Sequence, residues 1–328
     1  MRLLAARLLL GVVVLVCAEV FSGASLVQGL WHPWVWLVTY WLYFAHFFVF
    51  TSLAVVTGRT SLGSCYLWGV LFGLYESWIT KVIWHGFGGD GEMALGSVGP
   101  FGFAEFSMVV FFHPIASFIL PLAAACVLCP ALRYWFPGVT WLIGSSRWAR
   151  VAQAGLILAF APCMAINSGG ALNLAANACL LAAVLLLLWW LARPALQVVY
   201  ADALVLFSFR GFLGLCGYLA LLYSVTYFLF RMDGLPAPGV QVLTLGFYAI
   251  AIAGLRWHGP RQPGFWPVCE TVPRERRFLG KWLALLLLAA FLLTPFRSSP
   301  VVYLLLIVNF AVWTPLGLVL TGRALLSR

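Results

Sequence analysis

The chain has 328 residues, 64% hydrophobic and 9% charged, with a mean hydropathy of +1.02. Soluble domains carry about 25% charged residues, so this composition excludes a soluble globular fold, a disordered chain and a nucleic-acid-binding domain. The net charge of +10, from 19 Lys and Arg against 9 Asp and Glu, therefore reads as the basic bias of cytoplasmic loops and not as a nucleic-acid footprint.

Long unbroken apolar runs, in place of alternating strands of about ten residues, predict an all-α polytopic membrane protein and not a barrel. A crossing needs about 20 apolar residues. Ten such runs follow one another, over 3–21, 34–57, 65–84, 103–128, 151–166, 171–192, 209–230, 239–257, 279–296 and 300–321. The chain 1–328 thus reads as one integral membrane domain with cytoplasmic linkers at 131–150 and 258–278. With the N-terminus inside, sixteen of the nineteen Lys and Arg fall on the cytoplasmic side, only Arg231 and Arg297 face outward, and Lys81 lies within a span. Both termini are then cytoplasmic, and a multi-pass place in the plasma (inner) membrane follows.

The first run has a second reading. Arg2, Arg7, the apolar stretch and Ser22-Gly23-Ala24 also resemble a secretory signal with its cleavage site. The run is long for that, and Glu19 is awkward in either case; an uncleaved span is preferred. The linker 131–150 carries Trp135, Trp141 and Trp148 among its arginines, which predicts a segment at headgroup level. The stretch Arg256–Lys281 has six basic residues and four prolines. It is a candidate contact for anionic lipid headgroups, at about 1 kcal/mol per basic residue, or simply a topology determinant. The pair Cys126 and Cys129 has redox or zinc spacing but no companion pair.

Ionisable groups inside spans are costly and default to functional hypotheses. In the third span Ser77, Thr80, Lys81 and Trp84 follow Glu76 within an arc of ~140° of a continuous helix. The fourth span brings Glu105 and His113, followed by Pro114. At 1.5 Å per residue from the outer ends, Lys81 and Glu105 lie at ~4.5 and ~3 Å, and Glu76 and His113 at ~12 and ~15 Å. Two rungs are predicted: Lys81 with Glu105, and Glu76 with His113. His46 reaches ~18 Å from outside in the second span. His46, Glu76 and His113 then form a candidate ligand set for a divalent metal, zinc or ferrous iron. Asn173 and Asn177, one turn apart in the sixth span, extend the candidate pathway. Asn309 reads as an interhelical hydrogen bond. The glycine-rich loop 86–102, with Asp90 and Glu92, is a cover for the site or a connector.

Three function classes remain open. The first is a transporter or permease for a small molecule or ion, with Glu76, Lys81, Glu105, His113, Asn173 and Asn177 as its substrate or proton pathway. The second is a membrane-embedded enzyme on a lipid or membrane-borne substrate, with Glu76 and His113 catalytic. The third is a non-catalytic subunit or assembly factor. The first is favoured, and the lipid bilayer is the partner common to all three.

Overall fold

In a computed structural model, residues 2–86, 96–198, 201–260 and 272–326 are described. The fold is all-α and polytopic. Among the described residues, nine helices are long and apolar enough to cross a membrane: α1 (Arg2–Val20), α2 (Val35–Val56), α4 (Phe103–Leu128), α5 (Arg147–Asn167), α6 (Ala171–Leu196), α7 (Phe209–Leu229), α8 (Pro238–Trp257), α9 (Arg276–Phe296) and α10 (Pro300–Leu326). The third predicted span contributes only a 12-residue helix, α3 (Leu62–Gly73), followed by irregular turns. Most of the glycine-rich loop, with Asp90 and Glu92, and most of the 258–278 linker lie outside the described residues.

The chain divides into two compact units, and three of the five divisions fall within α2, α4 and α10. Unit one comprises Met1–Phe44, Leu120–Leu206 and Pro263–Asn309. Here α1 packs along α6, and α9 packs on α5. Gly11 gives α1 its close approach to α2: a Cβ there would lie 2.6 Å from Phe44 and 2.8 Å from the Tyr40 hydroxyl. The Phe21 ring bridges Phe160 at 5.3 Å and Trp282 at 6.0 Å. The predicted headgroup-level linker forms two 3-10 stretches, Pro130–Tyr134 and Pro137–Ile143. They are pinned by fully buried Leu132, Phe136 and Val139, while Trp141 and Trp148 stay exposed. Arg133 turns back and donates to the Cys126 carbonyl at 3.1 Å, capping the end of α4.

Unit two comprises Ala45–Ile119, Phe207–Gln262 and Phe310–Arg328. Helices α3 and α4 are neighbours there, as the sequence predicts. Gly69 and Gly73, one turn apart, present a bare face of α3 to α4; a Cβ on Gly69 would sit 2.7 Å from Pro114 Cα. Small residues at this spacing let membrane helices touch backbone to backbone. Helix α4 is not a regular α-helix: Ser107–Phe112 and Pro114–Ile119 are π-helical on either side of His113. A proline removes one helical hydrogen bond, and π turns are a known way of absorbing such a defect near functional residues.

The broken third segment runs antiparallel to α8 along its length. Trp84 donates to Thr244 at 3.0 Å, the Leu74 carbonyl accepts from Tyr248 at 2.7 Å, and Arg59 donates to the Leu255 carbonyl. His258, just beyond α8, bonds the Ser64 hydroxyl at 3.1 Å and the Ala324 carbonyl. A 20-residue helix is about 30 Å long, so the third segment covers that height although its helix stops halfway.

Candidate functional site

The break in the third segment organises the site. Helix α3 ends at Gly73, a 3-10 turn follows at Leu74–Ser77, and Lys81 takes a left-handed conformation with φ 59°. Carbonyls freed inside a membrane must find donors. Tyr248 serves Leu74, and Arg231 serves Thr80 and Gly86, each at 3.1 Å. Arg231 lies between α7 and α8; burial lowers its pKa, and the neighbouring Asp233 pulls it back up. Asp233 also pairs with His85 at 3.3 Å.

This geometry corrects the predicted Lys81–Glu105 rung. The stripe assumed a helix that continues past Gly73, and it does not. Lys81 is fully buried and spends its ammonium protons on the carbonyls of Thr226 at 3.1 Å, Tyr227 at 3.2 Å and Phe230. These carbonyls lie at the end of α7, where helical donors run out, although Thr226 also accepts from the Phe230 amide at 3.0 Å; a lysine serves both them and the negative end of the helix dipole. Glu105 is also fully buried, and neither carboxylate oxygen has a hydrogen-bond partner among the described residues.

Around the break, the two histidines meet a set of aromatic rings. His46 is 1% exposed, stacks on Phe72 with centroids 5.0 Å apart and planes at 9°, and lies 5.4 Å from Tyr75. His113 meets the edges of the same two rings, at 5.5 Å and 5.6 Å. Ser117 holds it from one turn further along α4 by a bond to Nδ1. His46 Nε2 lies 3.0 Å from the Tyr223 hydroxyl. The Tyr223 hydroxyl neighbours that of Tyr248, which in turn neighbours Trp78. Glu76 bonds the Thr80 hydroxyl, and its charge reaches Tyr223.

The residues thus gather as a chain of neighbouring polar groups from His46, bonded to Tyr223, to Tyr248, with Glu76 beside it and His113 across the shared rings. They do not gather as a metal centre. No group of three or more His, Cys, Asp or Glu able to hold a metal is found among the described residues, so the ligand set of His46, Glu76 and His113 does not assemble.

Asn173 and Asn177 belong to unit one and serve its backbone. Asn173 donates to the Ser168 carbonyl at 2.6 Å, and Asn177 accepts from the Leu30 amide at 2.6 Å. Asn309 donates to the Leu158 carbonyl at 3.2 Å, the interhelical role expected for it. Tyr223, Tyr248, Trp78 and Gln241 are additions that sequence reasoning passed over. For Tyr223, Tyr248 and Gln241 the signal was a hydroxyl or amide inside α7 or α8, where such groups need a partner; for Trp78 it was an indole N–H in the third span. Glu19, in unit one, is a half-buried carboxylate that accepts from Ser25 at 2.7 Å and Tyr43 at 2.8 Å within a π-helical turn.

Comparison with known proteins gives a family. Residues 8–328 match the model of a family described as an uncharacterized membrane protein family. The chain belongs to that family. It is also similar to a protein of Archaeoglobus fulgidus (strain ATCC 49558 / DSM 4304 / JCM 9628 / NBRC 100126 / VC-16), named as an uncharacterized protein. The identity is 35% over 118 residues, covering 36% of this chain and 36% of that relative's length. No solved structure matches. Family membership and the apolar helices together make this an integral, multi-pass membrane protein.

Proposed function

We propose that this family member is a transporter whose substrate movement is linked to proton movement through unit two. The observation that carries this reading is the interrupted third segment set beside the chain His46–Tyr223–Tyr248. Irregular backbone at membrane depth is tolerated where it lines a site, and discontinuous helices mark the binding centres of many carriers. The interruption also places Glu76 beside hydroxyls that can pass a proton. Histidine and carboxylate side chains in a membrane interior are the usual elements of proton relays.

The test uses purified protein in proteoliposomes loaded with a pH-sensitive dye. Fractionated cell extracts, polar and lipid, are added outside. The expected result is that one fraction evokes a proton flux with wild-type protein. H46Q, E76Q and H113Q should abolish it while remaining folded and monodisperse. If no fraction evokes a flux, or if the variants lose folded protein in proportion to flux, the transport reading is wrong.

A further inference from the structure

Unit two contains a cavity of about 780 Å³ whose wall includes Trp78, Tyr223, Tyr227, Gln241, Leu245 and Tyr248. Its outer wall belongs to α7 and α8. Val242 on that wall is 67% exposed and Leu245 is 54% exposed. On helices of this length and apolarity such residues face hydrocarbon, so the cavity opens sideways to the bilayer and not only to water. A volume of this size is typical of a small-molecule site.

The inner wall is selective in its hydrogen bonding. The Tyr227 hydroxyl donates to Gln241 Oε1 at 2.8 Å, and Gln241 Nε2 donates to the Pro236 carbonyl at 3.0 Å. Tyr248 is bonded to the Leu74 carbonyl, and Tyr223 to His46. The direction of the His46–Tyr223 bond follows the imidazole tautomer, and the Gln241 amide keeps a second proton, so the wall offers a ligand neutral donors as well as acceptors. Among the described residues no Lys, Arg or His lines it. The nearest ammonium, Lys81, lies 5.9 Å from the Tyr227 ring centre and is committed to three carbonyls. Glu76, likewise, is engaged by the Thr80 hydroxyl and does not line the wall.

We propose that this groove binds a membrane-dissolved lipid alcohol: the apolar chain lies between α7 and α8, and an uncharged hydroxyl, donor and acceptor at once, hydrogen-bonds at the Tyr223–Tyr248 end. A phosphate or ammonium head is disfavoured because its charge would lose hydration against a wall of neutral side chains. An apolar chain without a hydroxyl makes none of these hydrogen bonds. This deepens the transport reading, on which it rests for the meaning of the site, by naming the substrate class.

The experiment uses the full chain in neutral phospholipid vesicles and three diazirine probes of one chain length, ending in a hydroxyl, a phosphate or a primary amine. Crosslinked peptides are mapped by mass spectrometry. The alcohol should label α7 and α8 at the groove, at least about tenfold more than the phosphate or the amine, the difference that 1.4 kcal/mol confers. V242W and L245W should fill the groove and remove the label, whereas L318W on the exposed face of α10 should not. Competition by unlabelled alcohol on wild-type protein gives the same answer without a variant. Label spread evenly over exposed helices, or equal labelling by the phosphate or the amine, overturns the proposal. Movement of the alcohol probe across the vesicle is read separately. Labelling without movement retains the groove and removes transport; movement without groove labelling removes the groove and retains transport.

Discussion

His46 and His113 are joined through shared rings: Phe72 lies 5.0 Å from one and 5.5 Å from the other, and Tyr75 lies 5.4 and 5.6 Å away. Aromatic carbon gives neither imidazole a further metal ligand, and no three-ligand group is found among the described residues. Adding Zn²⁺ or a chelator to the purified protein is therefore expected to leave its thermal midpoint unchanged. A stoichiometric metal would stabilise by about 2.7 kcal/mol at a hundredfold excess over Kd, an effect that differential scanning fluorimetry would detect. A rise of that size, lost in H46Q and H113Q, would restore the metal reading.

The Tyr223 hydroxyl connects His46 to Tyr248, so Y223F should interrupt the chain while leaving the ring's packing intact. The expected cost in stability is small, about 1 kcal/mol for a lost hydrogen bond. The expected loss of proton-linked flux is near complete. Tyr227, whose hydroxyl serves only Gln241, provides the contrast: Y227F should retain flux. Equal flux in both variants would detach the chain from function.

Lys81 and Glu105 make opposite predictions about stability. K81M removes the lysine donor from the carbonyls of Tyr227 and Phe230, while Thr226 keeps the Phe230 amide, and an unsatisfied buried polar group costs about 1–3 kcal/mol. Its thermal midpoint should fall by several degrees. E105Q replaces a carboxylate that has no partner among the described residues, so the midpoint should hold or rise, because an unpaired buried charge is expensive. In a double-mutant cycle the two should be additive to within about 0.5 kcal/mol. A larger coupling would reinstate the rung.

The contact between α3 and α4 depends on bare backbone. G69A is expected to destabilise by about 1–3 kcal/mol, the usual cost of overpacking a tight contact. Gly246 on α8 has open space around it. There G246A should be neutral or stabilising by up to about 1 kcal/mol, since alanine is the better helix former. Similar effects at both positions would show that the close approach is not what holds α3 to α4.

The long apolar runs made nine of the helices legible, because hydrocarbon demands a helix wherever twenty such residues follow one another. The break after Gly73 was not legible. Leu74, Tyr75, Trp78 and Ile79 keep the stretch apolar, and nothing local signals the left-handed turn at Lys81; Tyr248 and Arg231, more than 140 residues away in sequence, supply the donors that make it tolerable. The depth count brought His46 and His113 to one region because it needed only helix rise and neighbourhood. It misassigned Lys81 because the side chain's partners come from α7, which spacing along the third and fourth spans does not reveal. Glu19 was visible as an anomaly, but its partners Ser25 and Tyr43 lie in a loop and in the next helix.

The interrupted segment also decides the topology, and this yields the last prediction. If it turned back without crossing, every later loop would exchange sides and the basic residues would lose their asymmetry. Contacts within unit two argue against this. Ser64, before the break, is bonded to His258 at one end of α8; Gly86, after the break, is bonded to Arg231 just before the other end of α8. A helix of 20 residues separates those two ends, so Ser64 and Gly86 must lie on opposite sides if α8 crosses. The contact of Arg7 with the carbonyls of Ala203 and Leu206 places residues together that the positive-inside rule also puts on one side. Ten crossings with both termini cytoplasmic are therefore expected. Single cysteines at Ser97 and Ser299, in a background where native cysteines are replaced, should react with a membrane-impermeant maleimide in intact cells. Cysteines at Thr57 and Ser146 should react only after permeabilisation. Protection of Ser97 together with labelling at Ser146 would mean that the third segment does not cross, and that the depths assigned to Glu76 and His113 are wrong.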